Sequence, residues 1–147
     1  MPSVIFDTSV FISYKAKLKA IPESSFVSIV VIQELMAGAR DNSELKSWEA
    51  TAKNFERIGR LLVPTSEDWL LAGRALNSLL RGLKSKRSGN IPKLHPDEKQ
   101  RIIRDVLIAR TVRRAGGLLI TNNISDFEKI KKFCNISIKR GSEFFGS

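Results

Sequence analysis

The chain has 147 residues, of which 42% are hydrophobic, with one cysteine and a formal charge of +10. That length supports one compact domain around a single core, and a lone Cys134 excludes an internal disulfide and fits a reducing cytosol. No signal-peptide pattern opens the chain and no apolar run approaches a membrane span, so the expectation is a single soluble cytoplasmic domain over residues 1–147 with no membrane partner.

Val4-Ile5-Phe6 is short and β-branched or aromatic, and predicts a buried strand. Asp7-Thr8-Ser9 follow as three helix-capping residue types ahead of a helical spacing over Val10 to Ala20. Ser25 to Ile29 predicts a second strand, running into a helix from Val30 to Arg40 that Gly38 helps to end. The next helix opens at Asn42-Ser43 as caps and carries Leu45, Trp48, Ala52, Phe55 and Ile58 on one face. Leu61 to Pro64 is a short strand. A helix opened by Ser66 as cap runs to Lys84, and the polar, basic, breaker-rich stretch 85–96 is a loop. Pro96 starts a helix that Gly116-Gly117 close. Leu118 to Thr121 is a strand, Ile124 to Phe133 a short helix, and Ile136 to Lys139 a last strand. Strands separated by helices imply βαβ units and a mostly parallel sheet covered on both faces.

The charge is unevenly placed. Residues 1–80 balance, whereas 81–140 hold 16 basic against five acidic side chains. An excess confined to one half suggests a basic face for a polyanion, most simply nucleic acid. Lys84, Lys86, Arg87 and Lys93 are the candidates in or beside the loop.

Four carboxylates lie in unusual places. Asp7 directly follows the first strand, and the carboxyl ends of strands are where open α/β sheets bind ligands. Glu34 shares a helix face with Val30, Val31, Ala37 and Gly38, and Asp105 shares one with Ile102, Ile108, Ala109 and Val112. Asp126 follows the strand ending at Thr121, where Asn123 as cap and Asp126 three residues later also fit a capping box. An ionised carboxylate aimed at a core is costly unless paired, and several together raise one another's pKa unless a cation intervenes. A hard divalent ion, Mg²⁺ or Mn²⁺, answers both problems. His95 and Cys134 are too isolated for a zinc or Cys–His site, and no glycine-rich nucleotide-binding loop is present.

In order and spacing, the stretches around Asp7, Glu34 and Asp105, ending in Thr121, Asn123, Asp126 and Phe127, resemble a PIN-domain ribonuclease, most closely the VapC toxin of a toxin–antitoxin pair. Residues 41–99 carry no part of the signature. The resemblance implies a three-layer α/β/α domain whose Asp7, Glu34 and Asp105 form the Mg²⁺/Mn²⁺ site, with Asp126 as a more variable fourth acid. Thr8, Ser9, Thr121 and Asn123 would be polar supports. It further implies endonucleolytic hydrolysis of RNA, a homodimer, and a small antitoxin as partner. A PIN nuclease of RNA maturation or turnover, and an inactive PIN-like module that binds RNA or protein, are the alternatives. A haloacid-dehalogenase-type phosphatase would need a second aspartate where Ser9 stands.

Overall fold

The computed structural model describes residues 3–14, 21–22, 24–86 and 95–146, without the side chains of 83–86. In chain order its elements are β1 (Val4–Phe6), α1 (Thr8–Ser13), β2 (Val27–Ser28), α2 (Ile29–Ala37), α3 (Asn42–Arg57), β3 (Leu61–Leu62), α4 (Ser66–Lys86), α5 (Pro96–Arg114), β4 (Leu118–Thr121), α6 (Ile124–Ile130), β5 (Ser137–Arg140) and α7 (Gly141–Phe145). β4 lies between β1 and β5, and β2 pairs with β3, all in parallel. A parallel bridge between Ile5 and Phe26, with the Phe26 N–H donating to the Val4 carbonyl, joins the two groups. The order across the domain is therefore β3-β2-β1-β4-β5. Connections run one way from β1 to β2 and β3 and the other way to β4 and β5, so the topology reverses between β1 and β4. In an open parallel sheet that reversal opens a crevice at the carboxyl ends of the strands.

Neighbouring residues on β1 and β4 are both buried: Ile5 and Phe6 on one, Leu119 and Ile120 on the other. Side chains alternate sides along a strand, so helices cover both faces of the sheet, as a wholly parallel sheet requires. Along its middle α5 is buried around most of its girth, with Asp105 through Ala109, Thr111 and Val112 all buried. From Asp105 to Ala109, more than a full turn, the helix offers no solvated position for a carboxylate. At its end, Gly116 takes the left-handed conformation (φ +61°), which costs glycine nothing. Gly117 is required for a different reason: a Cβ there would stand 2.4 Å from Ile5 Cδ1 and 2.8 Å from the Ser3 carbonyl oxygen.

Several local expectations are corrected. α3 is capped by Asp41, whose carboxylate accepts from the Glu44 N–H at 2.8 Å, and not by Asn42-Ser43. α4 is capped by Thr65 in place of Ser66. The Thr65 hydroxyl accepts from the Asp68 N–H at 3.3 Å and the Asp68 carboxylate from the Thr65 N–H at 2.9 Å, a reciprocal capping box. Asp68 is also wholly buried and paired with Arg110 and Arg114 of α5, which pins the start of α4 to its neighbour. Burial works to raise its pKa, but the hydrogen bonds from Arg114, the Thr65 N–H and Arg110 outweigh it and hold the carboxyl below its ordinary range. α2 begins one residue early, at Ile29 with Ser28 as its cap, and ends at Ala37; α6 ends at Ile130. α7 has no counterpart in the sequence reading; it is held by Phe144 and Phe145, which pack against Phe6 and Tyr14. Residues 15–20 of the first expected helix, and Arg87 and Lys93 of the basic loop, lie outside the described residues, as do the side chains of Lys84 and Lys86. Among the described residues no helix is long and apolar enough to cross a membrane.

Candidate active site

The crevice at the β1/β4 reversal is built from the ends of both strands. Asp7 is the first residue past β1, and Thr121 the last of β4. Asp7 stands at the N-cap position of α1 yet makes no capping hydrogen bond with its side chain. Its Oδ2 instead accepts from the Thr121 hydroxyl at 2.8 Å and the Ser9 hydroxyl at 3.0 Å. Each hydroxyl in turn accepts from a backbone amide of the turn after β4: Thr121 from the Asn123 N–H at 2.9 Å, Ser9 from the Asn122 N–H at 3.1 Å. Because the amide occupies the hydroxyl's acceptor side, the hydroxyl proton is directed at Asp7. Two relays thus fix one carboxylate oxygen and tie β1 to β4. Asp7 is 3% exposed. Burial pushes its pKa up, and the bonds from Thr121 and Ser9 and the nearby amides of Thr8 and Ser9 only partly offset that.

The other acids reach the same place from three helices. Asp105, on the buried helix α5, is 8% exposed. Its pKa is pushed up to about 8, first by burial, then by the like charges of Asp7, Asp126 and Glu34, with Arg101 pulling the other way. Glu34 of α2 is also raised, by burial and then by Asp7, against the opposing effects of Arg104 and the Thr8 hydroxyl. Asp126 sits in the first turn of α6. The capping box conceivable there is not made: the Asn123 side chain caps nothing, and the Asn123 N–H goes to Thr121. Asp126 instead lines, with Asp105, a groove of about 540 Å³ whose walls include Arg101, Lys129, Lys132, Ile102, Ile130 and Phe133.

The four sequence-derived acids and their hydroxyl supports are therefore neighbours, though 98 residues of chain separate Asp7 from Asp105. No three acidic, histidine or cysteine side chains among the described residues are arranged to hold a metal ion directly. The donor set nonetheless fits Mg²⁺ or Mn²⁺, which takes one or two carboxylates and completes its shell with water. Only two buried side-chain polar atoms among the described residues lack a hydrogen-bond partner, Thr8 Oγ1 and Arg104 Nε. Both flank Glu34, with Arg104 Nε 4.0 Å from Glu34 Oε2. Unpaired buried groups are rare in folded proteins, and both of these face the same carboxylate. Sequence reasoning missed Arg104 and Arg101. Their spacing from Asp105 on α5, one and four residues, was the available signal.

No family model and no curated protein sequence matches the chain. Solved structures do. A chain of DNA-bound VapBC from Salmonella typhimurium is 21% identical, with a TM-score of 0.56 over 96% of this chain and 99% of that one. A chain of VapBC-1 from nontypeable Haemophilus influenzae is 18% identical, with a TM-score of 0.55 over 95% and 98%. One of FitAcB from Neisseria gonorrhoeae is 13% identical, at 0.51 over 94% and 97%. Likeness at these identities is likeness of fold: the chain has the three-layer, PIN-like α/β/α architecture with a parallel central sheet that its sequence led one to expect.

Proposed function

We propose that this protein is an Mg²⁺- or Mn²⁺-dependent endoribonuclease and the toxin of a VapBC-type pair. The observation that carries the reading is the convergence of four carboxylates from four elements on one crevice, with the pKa of Asp105 pushed up by burial and then by its neighbours' charge, in a chain of net charge +10. Four acids alone would repel a phosphodiester; with a divalent cation among them they attract it. Asp7 and Asp105, the most buried, would hold the ion, and Glu34 and Asp126 would reach it through water. When bound, the ion supplies charge compensation and polarises the phosphoryl oxygens. The relays from Thr121 and Ser9 keep Asp7 oriented throughout. Hydrolysis adds water across the phosphorus–oxygen bond, the leaving oxygen takes the proton, and the half-buried Glu34 is suited to accept one from the attacking water. Lys84, Lys86, Arg87 and Lys93, with Arg101, Lys129 and Lys132 along the groove, would engage the RNA backbone.

The VapBC structures are toxin–antitoxin assemblies by the resemblance already drawn, and a small antitoxin and a second copy of this chain enter the proposal on that basis. Exposed Ile12, Trp69 and Leu70 offer apolar surface for such contacts.

The test is cleavage of an end-labelled single-stranded RNA by purified protein, with Mg²⁺ or Mn²⁺ and with chelator. Internal cleavage should require the metal. Asp7→Asn, Glu34→Gln and Asp105→Asn should each reduce it by roughly 100-fold or more, with the circular dichroism spectrum retained. Metal-independent cleavage, or full activity in any of the three variants, refutes the site. An active enzyme whose expression leaves growth unaffected belongs to RNA maturation or turnover.

A further inference from the structure

Arg104 is the one cation at the acidic crevice whose circumstances the proposed chemistry leaves unexplained. It precedes Asp105 on α5 and its side chain is 39% exposed, yet its Nε is buried and donates to nothing. Its approach to Glu34, 4.0 Å, is too long for a hydrogen bond. Since Nε is its only buried unpaired atom and it makes no hydrogen bond among the described residues, both terminal nitrogens meet solvent. Compare Arg110 and Arg114 on the same helix, which spend their guanidinium groups on Asp68. A planar guanidinium with its donors unspent, held at the edge of a carboxylate pocket, is matched to a tetrahedral oxyanion, which it can bind through two parallel N–H groups.

We infer that Arg104 is the phosphate-holding residue of this site, binding a non-bridging oxygen of a substrate phosphodiester beside Glu34. The inference rests on the nuclease reading for its substrate. It assigns the chain a cation of its own for the phosphate, in addition to whatever ion the carboxylates carry. The side chain is arranged as a loose counter-ion to Glu34 when the crevice is empty and turns its terminal nitrogens to the phosphate when RNA enters. The Thr8 hydroxyl, which also faces Glu34, is a second donor for that oxygen.

The experiment measures binding, not turnover. Fluorescence polarisation in Ca²⁺ is used with a labelled single-stranded oligoribonucleotide, and with a series in which one linkage at a time is replaced by an uncharged methylphosphonate. Arg104→Gln should weaken binding about tenfold, the scale of one charge-assisted contact, with Arg104→Lys in between. In the wild type one linkage should be most sensitive to neutralisation, and in Arg104→Gln that sensitivity should vanish while the others persist. Neutralisation costs that simply add to the Arg104→Gln loss at every linkage would overturn the assignment. So would unchanged affinity with a lowered melting temperature, which makes Arg104 only the counter-ion of Glu34. A wild type that binds no oligonucleotide defeats the nuclease reading itself, and this assignment with it.

Discussion

Asp105 offers the sharpest physical test of the crevice, because its behaviour without metal can be worked out in advance. In the unfolded chain its pKa is near 3.8; in the native crevice it is pushed up to about 8. The native state therefore binds this proton more tightly than the unfolded state. Between those values the native state carries the extra proton, so stability falls as pH rises from about 4 to about 8. At about 1.4 kcal/mol per tenfold in proton affinity, the full effect is on the order of 5 kcal/mol. Asp105→Asn removes the charge while keeping the shape. The variant must still bury an amide, which costs about 1–3 kcal/mol, so the net gain at pH 8.5 in chelator should be roughly 2–4 kcal/mol. For a domain of this size that is a melting temperature higher by roughly 5–15 °C. Because Asp7 and Glu34 are also raised, the variant should retain a shallower slope with pH. The assay is urea denaturation from pH 5 to pH 9 in chelator, repeated with Mn²⁺. Metal should stabilise the wild type by RT ln(1 + [metal]/Kd), about 2.7 kcal/mol at a hundredfold excess over Kd, and the variant much less. Parallel stability curves for the two proteins over pH 5–8, or a variant less stable at pH 8.5, would refute the claim that burial and like-charge crowding together raise Asp105.

Asp126→Asn should raise the metal concentration for half-maximal cleavage and barely move the melting temperature, since no capping bond is lost; the reverse pattern would return Asp126 to a capping role. Asp68→Asn leaves Arg110 and Arg114 without their buried partner and should cost about 3 kcal/mol in urea unfolding, while the cleavage rate per folded molecule at low temperature stays unchanged. Neutralising Lys84, Lys86, Arg87 and Lys93 together should weaken RNA binding equally for different sequences and flatten the plot of log affinity against log salt. An unchanged slope assigns those charges to solubility.

The sequence by itself determined the alternation of elements and the identity of the odd carboxylates. β4 runs from Leu118 to Thr121 as its apolar pattern and flanking glycines require, and α5 opens at Pro96 as its fixed φ favours. Asp105 was conspicuous because a carboxylate at helical spacing among Ile102, Ile108, Ala109 and Val112 has nowhere solvated to go. Where several polar residues in a row could cap a helix, periodicity could not choose, and Asp41 and Thr65 were chosen by the geometry of the entering chain. α7 was invisible because five residues make no period; packing of Phe144 and Phe145 on Phe6 and Tyr14 creates it. Nothing local singles out Asp68 in the first turn of α4; only the approach of Arg110 and Arg114 from α5 makes it a buried ion-pair partner. Only the tertiary structure decided what surrounds each acid. The Thr121 and Ser9 relays onto Asp7 and the approach of Arg104 to Glu34 depend on the reversal of strand order between β1 and β4. A local pattern can say that a charge is out of place, but its stabilising partners are distant in the chain and are selected by the sheet.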